Sequence, residues 1–204
     1  MKLAYTMSVI TAPCCAALLA NAAASAELPK GWLHAGSRPS QYEMSVDRTV
    51  AHGGHASASV KSIAEATDGF GTLMQTFKAD TFRGKRVRMS GYVQSKDVSD
   101  WAGLWMRVDG PVLAESKVPE PLAFDNMQKR AIKGTTDWSR YEIVLDVPER
   151  AEEIAFGILL SRQGQVWLDD VQFEVVSKAV PTTSDSLADA RDVPRTPVNL
   201  GFEE

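Results

Sequence analysis

From Tyr42 to Val176 apolar and polar positions alternate along one short run after another. Tyr42–Asp47 alternates cleanly, and a run over 56–63 follows the turn at Gly53-Gly54. Further runs cover 71–78, 85–95 and 101–108, with a weaker one at 122–127. Tyr141–Val147 is strong and stops at Pro148. The runs 154–160 and 165–176 read as a last pair, joined through Ser161-Arg162-Gln163-Gly164. Period two sends successive side chains to opposite faces of a strand, so each run has one face for a core and one for solvent. Many such runs, separated by Gly, Pro and Asp turns, predict an all-β sandwich or jelly roll of two antiparallel sheets. No segment keeps a 3.6-residue period; Ala64–Ala66 and Asp125–Arg130 are single helical turns at most. Two runs, Ile154–Leu160 and Val171–Val176, are apolar on both faces, which suits central strands.

The ends have a different composition. Residues 1–26 carry one n-region charge, Lys2, then a mostly apolar stretch from Ser8 to Leu19 broken by Pro13, then Ala22-Ala23-Ala24-Ser25-Ala26. This is the pattern of a secretory signal cleaved after Ala26. The apolar run is shorter than the ~20 residues that span a bilayer, and Thr11-Ala12-Pro13 is a poor approach to a lipidated cysteine. The expected product is periplasmic or extracellular, without a transmembrane segment. Cleavage removes Cys14 and Cys15, leaving 178 of the 204 residues and no cysteine. Loss of Lys2 takes the formal net charge from −4 to −5. A mildly acidic chain without a basic block argues against nucleic acid or an anionic membrane as partner. Residues 178–197, rich in Pro, Ser and Thr, read as a linker. Residues 198–204 end the chain on alternating apolar positions and read as a further strand.

The candidate chemistry lies opposite the expected core faces. In 104–109, Leu104, Met106 and Val108 share one face and Trp105, Arg107 and Asp109 the other. In 87–93, Arg88, Ser90 and Tyr92 oppose Val87, Met89, Gly91 and Val93. One surface carrying Arg88, Tyr92, Trp101, Trp105 and Arg107, rimmed by Asp125 and Asn126 with Phe124 and Gln128, would suit a sugar. Sugar C–H faces stack on aromatic rings, and hydroxyls pair with planar Arg, Asp and Asn groups. The competing reading packs Trp105 under a loop and leaves the arginines solvated. Trp32, Trp138 and Trp167 read as core. His52, His55 and His34 are too few for zinc without a cysteine. Serine-hydrolase, phosphate-loop and Rossmann signatures are absent from the sequence. A glycosidase would need two facing carboxylates, for which Asp109, Asp125 and Glu142 are the candidates.

Several stretches together resemble the galactose-binding-like jelly roll of carbohydrate-binding modules and of bacterial exported or regulator-linked modules similar to them. They are Gly31-Trp32, Tyr42, 52–58, Trp101–Gly110, Leu122–Met127, Gly134–Tyr141 and Gly164–Phe173. The resemblance covers about 28–177, so residues 27–177 are the expected domain. It implies a non-catalytic module for a carbohydrate or similar polar ligand, with no required cofactor. The alternatives are a structural or protein-interaction domain, with an envelope protein as partner, and, less well supported, a hydrolase. The resemblance also implies a structural calcium held by Asp170 and Glu203 with carbonyls near Gly53. Asp169 and Asp170, as neighbours in a strand, should face opposite ways. In such modules an Asn-x-x-Phe-Glu strand comes first. Here Asn199-Leu200-Gly201-Phe202-Glu203 matches it at the C-terminus, either as the start of a second repeat or as a strand that folds back to complete the sandwich.

Overall fold

In a computed structural model of the chain, residues 27–64, 67–115 and 117–184 are described. Among the described residues nine strands follow one another: β1 (Leu33–Gly36), β2 (Tyr42–Asp47), β3 (Ser57–Ser62), β4 (Phe70–Lys78), β5 (Arg86–Val112), β6 (Pro119–Asp125), β7 (Ile132–Asp146), β8 (Glu153–Ser161) and β9 (Gln165–Val176). The only helical pieces among the described residues are 3-10 turns at Pro39–Gln41 and Gln128–Arg130. Among the described residues no helix is long and apolar enough to cross a membrane.

Every pairing is antiparallel, and together they define two sheets with a common strand. The first half of β5 lies between β9 and β7, and β9 continues to β3 and β2. The second half lies between β8 and β6, and β8 continues to β4 and β1. The runs expected at 85–95 and 101–108 are thus one strand that passes from one sheet to the other. The passage falls between Ser95 and Ala102, where the register to β7 shifts twice and Asp97 takes a φ of 53°. It also shifts the alternation by one. Val87, Met89 and Val93 point into the core before it, and Ala102, Leu104, Met106 and Val108 after it.

The β8–β9 connection makes the same crossing. The expected terminal hairpin is not one: β8 pairs with β4 and β5, and β9 with β5 and β3. The turn fits under the β5 corner because Gly164, at φ 133°, has no Cβ; one would meet Val98 Cα at 2.8 Å. A three-residue turn, residues 162–164, between two apolar-rich strands looks like a hairpin in sequence. Here it joins the two layers instead.

The core fills the space between the layers with Val60, Leu73, Met89, Leu104, Met106, Ile143, Ile158 and Leu160, all fully or almost fully buried. Phe156 packs edge-on against Trp32, Phe77 and Phe173, at centroid separations of 5.2, 5.8 and 4.9 Å. Trp167 is buried as expected. Trp32 is half-buried against the core. The expectation for Val171–Val176 fails: the segment alternates between half-buried and exposed, and Val175 is 53% exposed.

The first seven residues of the expected linker are part of the domain. Arg86 donates to the carbonyls of Lys178 and Val180, and Lys178 pairs with Asp146 at 3.0 Å. Thr183 exchanges bonds with Val144, its N–H to the Val144 carbonyl and the Val144 N–H to its hydroxyl. This covers part of the outer edge of β7, which would otherwise present unpaired donors and acceptors. The signal segment 1–26 with Cys14 and Cys15, the rest of the linker, the 198–204 strand and Glu203 lie outside the described residues.

Candidate functional site

On the sheet β1-β4-β8-β5-β6, the side chains that face away from the core build a second, smaller apolar cluster. Trp105, Ala155 and Leu159 form its buried centre, and Phe70, Met74, Trp101 and Phe124 pack against it. This explains why β8 is apolar on both faces. Ile154, Phe156, Ile158 and Leu160 fill the core, while Ala155 and Leu159 belong to the second cluster and Leu159 lines the floor of a pocket on that side. The pocket has a volume of about 360 Å³ and draws on all five strands: Ala35 and Gly36, Phe70, Thr72 and Met74, Leu159, Trp105 and Arg107, and Phe124, with Asn126 just beyond β6. That volume is at the small end of the ligand-site range of about 300–1,000 Å³.

Its polar groups are few and held in place. Trp105, 8% exposed, donates its indole N–H to Thr72 Oγ1 at 2.7 Å, and Thr72 donates to the Ile158 carbonyl at 2.9 Å. Arg107 donates Nε and Nη2 to the buried Asp109 carboxylate at 2.8–3.0 Å. Asn126 Oδ1 accepts the Gln128 N–H at 3.1 Å, which leaves its amide nitrogen at the rim. Trp101 supports Trp105 from the side without lining the pocket.

Three of the expected site residues lie elsewhere. Arg88 and Tyr92 face outward from the opposite sheet, so they and Trp105 are on opposite sides of the sandwich. The alternation assigns them correctly to non-core faces, but β5 changes sheet between them. There, Arg88 bonds Glu174 at 2.8 Å, while the Tyr92 ring stacks on His52 at a centroid separation of 3.6 Å and 12° between planes. Trp138, expected in the core, stands half-exposed beside them with its ring edge-on to His52. Asp125, expected at the rim, is fully buried. It accepts the Met127 N–H at 2.8 Å and pairs with Arg130 at 2.6 Å. It also accepts from the Thr183 hydroxyl. Sequence reasoning missed Phe70, Thr72, Met74 and Leu159; their signals were the apolar residues on the second face of β4 and the two apolar faces already read in β8.

Asp169 and Asp170 do not diverge. Two residues of β9 oppose one of β5 between Ser90 and Tyr92, and Asp170 takes a φ of 51°. This β-bulge re-aims the side chain, and both carboxylates reach the same loop. Asp169 accepts the N–H groups of His52 and Gly53 at 2.9 and 3.0 Å, and Asp170 meets His52 Nδ1 at 2.7 Å. In the described residues Asp169 and Asp170 bond nitrogens of His52 and Gly53, and Glu203, the other carboxylate of the expected calcium site, lies outside the described residues. Among the described residues no group of three or more His, Cys, Asp or Glu is placed to hold a metal. Nearby, Asp47 accepts the Trp167 indole N–H at 2.8 Å. Burial raises its pKa, but the bonds from Trp167, Thr49 and Val50 outweigh it and hold Asp47 below the usual carboxylate range.

The carboxylates considered for hydrolysis do not face each other. Asp109 is bound to Arg107 and Asp125 to Arg130, and Glu142 is on the other sheet, between Arg88 and Arg140.

The two-sheet antiparallel sandwich is a fold shared with carbohydrate-binding modules. The xylan-binding CBM22-1 domain of Paenibacillus barcinonensis Xyn10C superimposes with a TM-score of 0.50 at 18% identity, over 75% of this chain and 90% of that one. The C-terminal family 22 module of Clostridium thermocellum Xyn10B gives 0.51 at 13%, over 74% and 89%. The enzymatically active domain of bacteriophage CBA120 tailspike protein 4 gives 0.53 at 11%, over 72% of this chain and 20% of that one. At these identities the likeness is one of fold. In sequence the chain is 48% identical over 176 residues to an uncharacterized HTH-type transcriptional regulator, YbfP, of Bacillus subtilis; the match covers 86% of this chain and 57% of that protein. The chain therefore spans little more than half the length of that relative. No family model matches.

Proposed function

We propose that this domain binds a carbohydrate without chemical change, in the pocket floored by Trp105 and Leu159 and rimmed by Arg107, Phe124 and Asn126. The observation that carries this is an apolar, aromatic-walled cavity exposed on the sheet face away from the core, with oriented donors at its edge. An ordinary sandwich solvates that face; here it holds Phe70, Met74, Trp105 and Phe124. Ring faces offer stacking surface for sugar C–H groups, and the donors at the rim set orientation. Export through residues 1–26 belongs to the same proposal and would place the site among extracellular or envelope polysaccharides.

A glycan array probed with the mature domain tests it. Wild type should bind a defined subset, and Phe124→Ala and Met74→Glu, both on half-buried positions, should lose at least tenfold in affinity. Binding that neither substitution changes would overturn the proposal. The regulator relative favours a second output for the same site: a ligand-occupied domain that signals to an attached unit. A ligand-dependent change in proteolysis of a fusion to a following domain would support that output.

A further inference from the structure

Each side-chain oxygen in the pocket already accepts a hydrogen bond, and the side-chain groups without a partner are N–H donors. Trp105 gives its only N–H to Thr72, and Thr72 gives its proton to Ile158. Asn126 Oδ1 already accepts the Gln128 N–H, whereas its Nδ2 has no hydrogen-bond partner among the described residues. Arg107 engages Asp109 through Nε and Nη2, and its Nη1 has no hydrogen-bond partner among the described residues. The Asp109 carboxylate balances the guanidinium charge at close range. Phe70, Phe124 and Leu159 bring no polar side-chain atom, and Met74 only a weakly accepting sulfur.

A plain pyranose is poorly matched to such a wall. Each hydroxyl brings a donor as well as an acceptor, and a donor buried without a free acceptor weakens binding. An acetyl group is well matched. Its methyl removes apolar surface from water against Met74, Phe70 and Leu159. Its carbonyl only accepts, and Asn126 Nδ2 and Arg107 Nη1 only donate. It carries no charge, which agrees with an arginine already neutralised by Asp109. Resting on the sugar-binding proposal, we infer that the pocket selects a neutral acetylated sugar, with the acetyl group on the Trp105–Leu159 floor and its carbonyl at Arg107 and Asn126.

Isothermal titration with two matched pairs tests this and separates N-acetyl from O-acetyl. One pair is tetra-N-acetylchitotetraose against cellotetraose; the other is acetylated xylan against the same xylan after alkaline deacetylation. The expected result is at least tenfold tighter binding of the acetylated member in one pair. Asn126→Asp keeps the bond to the Gln128 N–H and replaces the free donor with an acceptor. It should abolish that preference without lowering the melting temperature. Equal affinity within both pairs, or a preference that survives Asn126→Asp, overturns the inference and leaves sugar binding standing. Binding to none of the four ligands overturns both.

Discussion

Trp105 and Thr72 are joined by a 2.7 Å hydrogen bond, indole N–H to hydroxyl, across strand β8, and Thr72 passes its own proton to the Ile158 carbonyl of that strand. Trp105 is on β5, Thr72 on β4 and Ile158 on β8, so the chain of two bonds ties three strands beneath the pocket. Both Trp105 and Thr72 are buried. Thr72→Val keeps the shape and removes the acceptor, leaving a buried indole N–H unpaired. The expected loss is about 1–3 kcal/mol, measured as a lower urea midpoint with unchanged slope. Thr72→Ser retains the hydroxyl and should recover most of the difference.

Gly157 is the β8 residue that pairs with Trp105 in β5 and with Met74 in β4. A Cβ there would meet the Leu73 carbonyl oxygen at 2.2 Å and Met74 Cα at 3.0 Å. Backbone atoms cannot rotate away as a side chain can, so β4 must shift. Gly157→Ala should destabilise by about 1–3 kcal/mol, the range for overpacking, and should weaken ligand binding even at temperatures where the variant is folded. Calorimetric melting and titration on the same sample separate the two effects.

The sequence made most strands legible because each has a solvent face and a core face. β2 and β9 match the expected runs end to end, and β3, β4 and β8 within a residue or so. What stayed hidden had no such contrast. β1 carries Leu33 60% exposed and no buried residue, and the first half of β7 runs through Lys133-Gly134-Thr135. For the site, alternation named the face of Trp105 and Arg107 correctly. It could not tell that β5 changes sheet before reaching them, because a strand that passes between layers looks like two strands in one. Nor could a local rule find Asp125 buried. Its partner Arg130 is five residues away and Thr183 lies 58 residues on, at the end of a segment whose composition suggests a linker.

That buried carboxylate gives the third expectation. Asp125 holds Met127 N–H, Arg130 and the Thr183 hydroxyl together. Asp125→Ala removes a hydrogen-bonded charge partner and leaves Arg130 against a cavity. Bonds to charged groups contribute roughly 1.5–3 kcal/mol, so a loss of that size is expected. The same change unpins residues 178–184 from β7. Amide exchange should therefore rise at Thr183 and Val144, which bond each other, and much less in the β4–β8 pair. Uniform acceleration across the domain would mean that Asp125 supports the core alone.

Arg86 and Asp146 pair at one edge of the domain. The guanidinium bonds both carboxylate oxygens, at 3.0 and 2.8 Å. With help from Lys178, and against burial, which acts the other way, it lowers the Asp146 pKa from 3.8 to about 2. The folded state therefore favours the ionised carboxylate more than the unfolded chain does. The contribution is fully present above about pH 4 and is lost as pH falls toward 2. The carboxylate is 42% exposed, so solvent screening keeps the effect below about 1 kcal/mol. Asp146→Asn should lower the urea midpoint at pH 6 and approach wild type at pH 2–3. Arg86 also donates to the Lys178 and Val180 carbonyls, so the variant should loosen residues 178–180 at neutral pH, as wild type does in acid. A stability gap that stays constant from pH 6 to pH 2 would show that Asp146 acts through packing and not through its charge.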